Sequence, residues 1–301
     1  MGYQFITRHL FASMPKFEKT LLNFKEAFYQ DNVESLLKYH SKLEKCCSED
    51  PSFREPLSKC MEFTKFTEDM GALEMCISDI RGDDWKQVTN KRNIKTESKG
   101  SGNDFLTRCT LLVDAPLIQV LPFLSEIELV PTWVDVLKQV TVFESPSRTR
   151  KFARYNFWFP WPLSDRECML EFAAFPIVSE KAICIVMRSP KSDNYMNFDI
   201  PPPAEGKKRM FMNIGCLYAQ VISPTQTKII FIAQANANIF LLPRWLINFG
   251  TKHIMYYLMD TLRNKILNFQ GSIYEEKMNE KRDFYEFMHR IVEQKIDARD
   301  D

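Results

Sequence analysis

Eight cysteines and four histidines are the residues of this chain best suited to redox, metal or nucleophilic chemistry. The cysteines stand at 46, 47, 60, 76, 109, 168, 184 and 216, and no two form a Cys-x-x-Cys. Most lie inside apolar runs, where a thiol packs as a small hydrophobe. Cys46-Cys47 has no further Cys or His at ligand spacing, so it reads as a packed helix pair rather than a metal or redox site. His9, His40, His253 and His289 are isolated and offer no nucleophile–base pair. Metallopeptidase (His-Glu-x-x-His), serine-hydrolase (Gly-x-Ser-x-Gly) and P-loop patterns are absent, and Gly100-Ser101-Gly102 lacks the third glycine of a dinucleotide loop. The expectation is a non-catalytic protein with no metal and no cofactor.

Charge narrows the partners. Forty Lys+Arg against 39 Asp+Glu leave a formal net charge of +1, without the basic excess that phosphate contacts require, so nucleic acid is not expected. The 301 residues are 45% hydrophobic, enough to bury a full core, and include 24 Phe against only nine Gly. The apolar runs Ile229–Ala233 and Ile239–Leu242 are far too short to span a bilayer. No Asn-x-Ser/Thr sequon occurs and the cysteines show no secreted framework, which points to the cytoplasm. The segment preceding Glu18 carries no acid and reads as a first helix or as an organellar presequence.

Hydrophobic periodicity divides the chain into three. Helical spacing predicts helices over Glu18–Tyr29, Val33–Cys47, Phe53–Thr67 and Met70–Ile80, with Asp31 or Asn32 capping the second. From Asp84 the period becomes two. Strands are predicted at Trp85–Thr89, Asn93–Ser98, Asp104–Val113, Lys138–Glu144, Arg148–Phe159, Arg166–Ile177, Ala182–Ser189, Arg209–Ile222 and Thr227–Asn236. Two short helices, Ala115–Glu126 and Pro131–Leu137, interrupt them. Connections too short for crossover helices make the sheet antiparallel. A long amphipathic helix over Trp245–Phe269 follows, then a charged helix over Glu275–Lys295 with a narrow apolar stripe. The expected domains are a helical extension over 1–82, a sheet-and-helix domain over 83–270 and a tail over 271–301.

Three stretches of this pattern resemble the START (StAR-related lipid-transfer) domain. Phe157-Trp158-Phe159-Pro160-Trp161-Pro162-Leu163-Ser164-Asp165-Arg166-Glu167 is similar to the family's P-x-P-x-S-x-R-D segment, with Glu167 standing for Asp. Leu242-Pro243-Arg244-Trp245-Leu246-Ile247-Asn248 looks like the start of its C-terminal helix, and Trp85 and Trp133 occupy the usual tryptophan positions. The resemblance covers about residues 83–270. It implies an α+β helix-grip fold, a curved antiparallel sheet around a long C-terminal helix, with a lipid-sized tunnel between them. Where the family has Asp-x-Lys-Gly before that helix, this chain has Ala237-Asn238-Ile239-Phe240. Phe172 and Ala153 stand where several members place a buried arginine and its acidic partner, which points away from sterol recognition through an ion pair.

Strand alternation describes the wall of such a tunnel. Tyr155, Phe157 and Phe159 share the parity of Ala153, and Cys168, Leu170 and Ala174 share that of Phe172. That wall carries no fixed charge, so an acyl chain suits it better than an ionic head. Candidate ligand-contacting residues are therefore Tyr155, Phe157, Phe159, Leu170, Phe172, Ala174 and Phe231, with Leu246, Phe249, His253 and Tyr257 from the long helix. The opposite parity places Arg150, Arg154, Glu167 and Glu171 outside, solvated or paired. Trp158, Trp161 and Leu163 read as a membrane-contacting lid or as a loop packed on its own domain. Lys207, Lys208 and Arg209 read as docking cations or as a solvated turn.

The expected function is lipid binding or transfer, with a phospholipid or other acyl lipid as ligand, on a cytoplasmic protein that meets membranes transiently as a peripheral component. The terminal helices are candidate surfaces for a protein partner. The alternative is a structural or interaction protein that keeps the fold, fills the cavity with side chains and docks through its terminal helices. Cavity volume separates the two.

Overall fold

A computed structural model describes residues 2–100, 105–159, 161, 163–236 and 253–293. They form two compact units, Met1–Gly71 with Pro146–Thr149, and Ala72–Ser145 with Arg150–Asp301.

The first unit is helical. α1 (Gly2–Tyr29) and α2 (Val33–Glu49) are joined by a link in which Asp31 adopts a φ of 57°. Asn32 supplies the cap of α2, its side chain accepting from the Ser35 amide at 3.0 Å. A 3-10 turn at Pro51–Phe53, capped by Asp50, leads into the short α3 (Arg54–Ser58). α4 (Met61–Arg81) then runs unbroken where two helices were expected over 53–67 and 70–80. A buried Lys65–Asp69 ion pair, one helical turn apart at 2.6 Å, spans the expected break. The core of this unit is largely phenyl: Phe17 stacks on Phe53 at 4.4 Å, and Phe24 meets Phe66 edge-on at 5.7 Å.

The second unit is built on a nine-stranded sheet. In chain order its elements are β1 (Lys86–Lys91), β2 (Ile94–Lys99), β3 (Leu106–Val113), α5 (Leu117–Ser125), β4 (Leu137–Glu144), β5 (Arg150–Phe157), β6 (Arg166–Ile177) and β7 (Ala182–Arg188). A small hairpin, β8 (Asn194–Tyr195) and β9 (Phe198–Asp199), precedes the long strands β10 (Lys208–Ser223) and β11 (Gln226–Asn236). The order across the sheet is β1-β2-β3-β11-β10-β7-β6-β5-β4. Every neighbouring pair in that order is antiparallel, and β10 adds a three-residue parallel contact with β6 at Lys208 to Met210. All nine expected strands are present within a few residues of their expected ends.

Side-chain parity follows the expected pattern through the middle of the sheet. Tyr155 faces Cys168, Ala153 faces Leu170, Phe172 faces Met187 and Leu217 faces Phe231 across the ladders. β10 is kinked by a register shift between Met212 and Ile214. Gly215 follows it, where a Cβ would stand 2.8 Å from Met212 Sδ and 2.9 Å from Met187 Cγ, so both methionines would have to shift.

Among the described residues, three helices follow the sheet. α6 (Met255–Leu267) buries Met259, Leu262 and Ile266 and packs over β2, β3 and α5. It is the described part of the helix expected over 245–269. The C-terminal stretch expected as one helix is two, α7 (Ile273–Glu280) and α8 (Arg282–Glu293). Lys281 divides them: its carbonyl accepts from the Phe284 amide at 3.0 Å, and its ammonium meets Glu126 at 2.7 Å. Tyr274, Tyr285, Met288 and Val292 are buried in the same core as the inner face of the sheet.

On the outer face, where solvated or paired residues were expected, Arg150, Glu167 and Glu171 are almost wholly buried and the two glutamates are paired. The segment between β7 and β10 covers that face. Tyr195 stacks on Phe152 at 4.5 Å and Phe198 lies tilted against Phe143 at 5.1 Å, with Arg154 over the Phe143 ring. Beneath the cover, Arg188 pairs with Glu171 at 2.5 Å and Arg209 with Glu167 at 2.6 Å. A charge out of water needs a partner, and these carboxylates have one.

Candidate ligand-binding cavity

Inside the second unit, the inner face of the sheet and the helices opposite it line a cavity of about 170 Å³. The sheet wall is supplied by Tyr155 and Phe157 of β5, Leu170 and Phe172 of β6, Met187 of β7, Met212 and Leu217 of β10 and Phe231 of β11. Strand alternation, offset once by the register shift between Met212 and Ile214, puts these on one side. The opposite wall comes from Phe123 and Leu124 of α5, Ile127, Val130 and Trp133 beyond it, and Leu258, Met259 and Leu262 of α6.

None of the described lining residues carries a charge. Their polar atoms are few: the indole nitrogen of Trp133 and the phenol of Tyr155, beside three thioethers. Trp133 Nε1 donates to Tyr274 Oη at 2.8 Å, so it is already satisfied. Tyr155 sits between Phe157 and Phe172, at ring separations of 6.2 and 5.9 Å. Burial, with the Glu128 charge second, raises its phenol above the ordinary value, so it stays protonated across the physiological range. The wall can take up hydrocarbon but cannot neutralise an ion.

Of the residues expected at a ligand, Tyr155, Phe157, Leu170, Phe172 and Phe231 line this cavity. Phe159 does not. β5 ends at Phe157, so alternation no longer governs the ring, which lies under the Arg166 guanidinium at 5.3 Å. Ala174 is half-buried against the core away from the cavity. His253 is exposed, and Tyr257 is exposed with its phenol donating to Asp135 at 3.0 Å. Leu246 and Phe249 lie outside the described residues. In the lid segment Trp161 is 93% exposed and Trp158 46%, while Leu163 is half-buried. The Trp158 amide is tied to Val136 O at 2.8 Å, and Lys138 Nζ lies 5.8 Å from its ring. Among the expected docking cations, Lys207 donates to Asn156 and Arg209 pairs with Glu167, leaving Lys208 as the exposed member.

Sequence periodicity did not point to the α5 wall. Leu117–Ser125 is apolar nearly all round, so its pattern shows burial but not which side meets a cavity. Met187 escaped for the same reason: every residue of β7 is buried.

No family model matches the sequence, and no curated protein does. Solved structures do match the fold. Human STARD10 superposes with a TM-score of 0.59 over 72% of this chain and 85% of its own, at 17% identity. The fold is START-like. Human StAR-related lipid transfer protein 5 covers 67% of this chain and 96% of its own, with a TM-score of 0.60 and 15% identity. The lipid transfer and protein localization domain of human StarD13 gives 0.50 over the same 67% and 96%, at 16% identity. This START-like domain therefore shares with those proteins a helix-grip sheet and its crossing helix at identities that establish architecture alone. Among the described residues no helix is long and apolar enough to cross a membrane.

Proposed function

We propose that this protein is a non-catalytic carrier of an apolar ligand, held within residues 83–270, with an acyl lipid a better guest than a sterol. The observation that carries the reading is the uncharged cavity lined by Tyr155, Phe157, Leu170, Phe172 and Phe231 on one side and by Phe123, Trp133 and Leu262 on the other. The START-like fold supports it, since StAR-related lipid transfer protein 5 is named for lipid transfer. Volume sets a condition. A closed apolar cavity of about 150 Å³ admits a benzene-sized guest. The 170 Å³ here is of that order, so a two-chain lipid enters only as the walls separate.

Exchange then belongs at a membrane. Drawing ~30 methylenes through water costs ~24 kcal/mol, so the ligand must move between bilayer and protein without full exposure. Trp158 and Trp161 present exposed indoles, the side chain that settles at the level of lipid head groups. In this reading they form the lid, with Leu163 beside them, and the protein is peripheral and cytoplasmic.

Mass spectrometry of the protein purified under native conditions, with transfer assays between liposomes, tests the proposal. A co-purifying acyl lipid and transfer above the uncatalysed rate are expected. An empty protein that moves no lipid would overturn it. The small volume favours a second reading, a scaffold with a START-like fold and a filled interior, because ligand sites commonly span about 300–1,000 Å³. Of the C-terminal stripe Met288 is buried and Phe284 packs against the core while Phe287 is exposed, and in that reading a protein partner would dock on the terminal helices.

A further inference from the structure

We infer that Tyr155 is the specificity-determining residue of the cavity, and that the ligand is a neutral molecule presenting a hydrogen-bond acceptor oxygen, a carbonyl or ester, to its phenol. The inference rests on the carrier reading and names the chemistry of its ligand.

Tyr155 is 8% exposed, lines the cavity, and has no hydrogen-bond partner among the described residues. Three other buried tyrosines of this domain hydrogen-bond to protein groups. Tyr274 accepts from Trp133, Tyr285 donates to Glu126 at 2.5 Å, and Tyr218 donates to Glu180. The Tyr155 oxygen is not sealed off by protein atoms, so the phenol proton opens onto the apolar cavity and costs free energy there until an acceptor reaches it. At Tyr155 a phenylalanine would fill the same space between Phe157 and Phe172 without that cost. The hydroxyl therefore has a use that the protein's own groups do not provide, and the cavity is where its partner would sit.

Charge decides which acceptor. The described lining residues hold no cation, and Glu128 is the charged group whose field reaches the phenol. A carboxylate would enter an uncharged wall without a counter-ion. A ketone or ester oxygen accepts the same hydrogen bond at no such penalty. The phenol is held protonated by burial, so it acts as donor and the ligand as acceptor.

Three probes of equal heavy-atom count separate the possibilities: isopropylbenzene, acetophenone and benzoate, each titrated by calorimetry into delipidated protein at pH 8. Wild type and Tyr155→Phe are compared. The expected result is that the affinity ratio of acetophenone to isopropylbenzene falls about two- to tenfold in Tyr155→Phe, the worth of one hydrogen bond, while isopropylbenzene binding is unchanged. Benzoate should bind neither protein. The melting temperature of Tyr155→Phe should equal or exceed that of wild type, because its hydroxyl has no protein partner to lose. An unchanged ratio, or benzoate binding as well as acetophenone, overturns the assignment of Tyr155 and leaves the carrier reading standing. Failure of all three probes to bind overturns both.

Discussion

Trp133 donates its indole proton to the phenol oxygen of Tyr274 at 2.8 Å, closing a contact across 141 residues of chain. The same tyrosine ring stacks on Phe123 at 3.9 Å, so one residue of α7 holds two side chains of the cavity wall. Tyr274→Phe keeps the stack and removes the acceptor, leaving a buried N–H unpaired. The expected loss is about 1–3 kcal/mol of unfolding free energy, read from urea denaturation. A loss near zero would mean that α7 does not brace the wall.

The buried pair Glu171–Arg188 should matter far more than an exposed one. Glu171→Ala leaves the guanidinium under the β8–β9 hairpin without its carboxylate, at an expected cost of about 3–5 kcal/mol. Glu55→Ala breaks an exposed pair with Lys59 and should cost about 0–1 kcal/mol. Similar urea midpoints for the two variants would contradict the burial of the outer face.

Trp158→Ser with Trp161→Ser tests the lid. Both side chains are substantially exposed, so the melting temperature should shift little, while lipid transfer between liposomes slows. A large fall in melting temperature would instead mark the loop as packed structure.

Acid should destabilise the fold in a defined window. Burial alone would raise the Glu97 carboxyl, but Arg108 Nε at 2.8 Å and Lys95 Nζ at 2.6 Å outweigh it and hold the group below its ordinary 4.5. A folded-state pKa below the unfolded one gives stability that is fully present above the unfolded value and lost as pH falls through the folded one. Glu180, held by Tyr218 and Arg81 against its own burial, acts in the same direction. Urea midpoints should therefore be flat above about pH 5 and fall below it, with a shallower fall in Glu97→Gln. An identical acid slope in wild type and Glu97→Gln would show that the pair contributes nothing.

Thiol reactivity should follow burial. Of the eight cysteines, Cys46 alone is half-exposed. Burial pushes Cys109 up to about 12 and Cys168 up to about 11. Cys76 is raised by its contact with Cys216 and by burial, and Cys216 by its contact with Cys184 and by burial against a lowering contact with Cys76. Thiolate is the reactive form, so a disulfide reagent at pH 8 should titrate one thiol in the folded protein and all eight in denaturant. Rapid reaction of several thiols in the folded protein would show that the core opens.

The cavity residues that alternation predicted lie within strands. Tyr155, Phe157, Leu170 and Phe172 share a face because successive side chains of a strand alternate. Phe159 falls two residues past the end of β5, where the rule stops. On the long helix the apolar face was wide, and periodicity could not choose within it. Leu258, Met259 and Leu262 turn inward while Tyr257 turns out toward Asp135. The outer-face glutamates look like surface residues because their cover, Tyr195 and Phe198, comes from a hairpin of two-residue strands that carries almost no periodic signal.

Local order was therefore a property of the sequence alone: nine strands, their inward and outward parity, and an amphipathic helix after them. Each arises from backbone geometry acting on near neighbours. Which strands pair, as β3 does with β11 more than a hundred residues later, was settled only in the folded chain. So were the burial of Glu167 and Glu171, the docking of α7 and α8 on α5, and the volume left beside Tyr155. Those depend on how surfaces far apart in sequence fill the same space, and close packing leaves that to the sum of all of them.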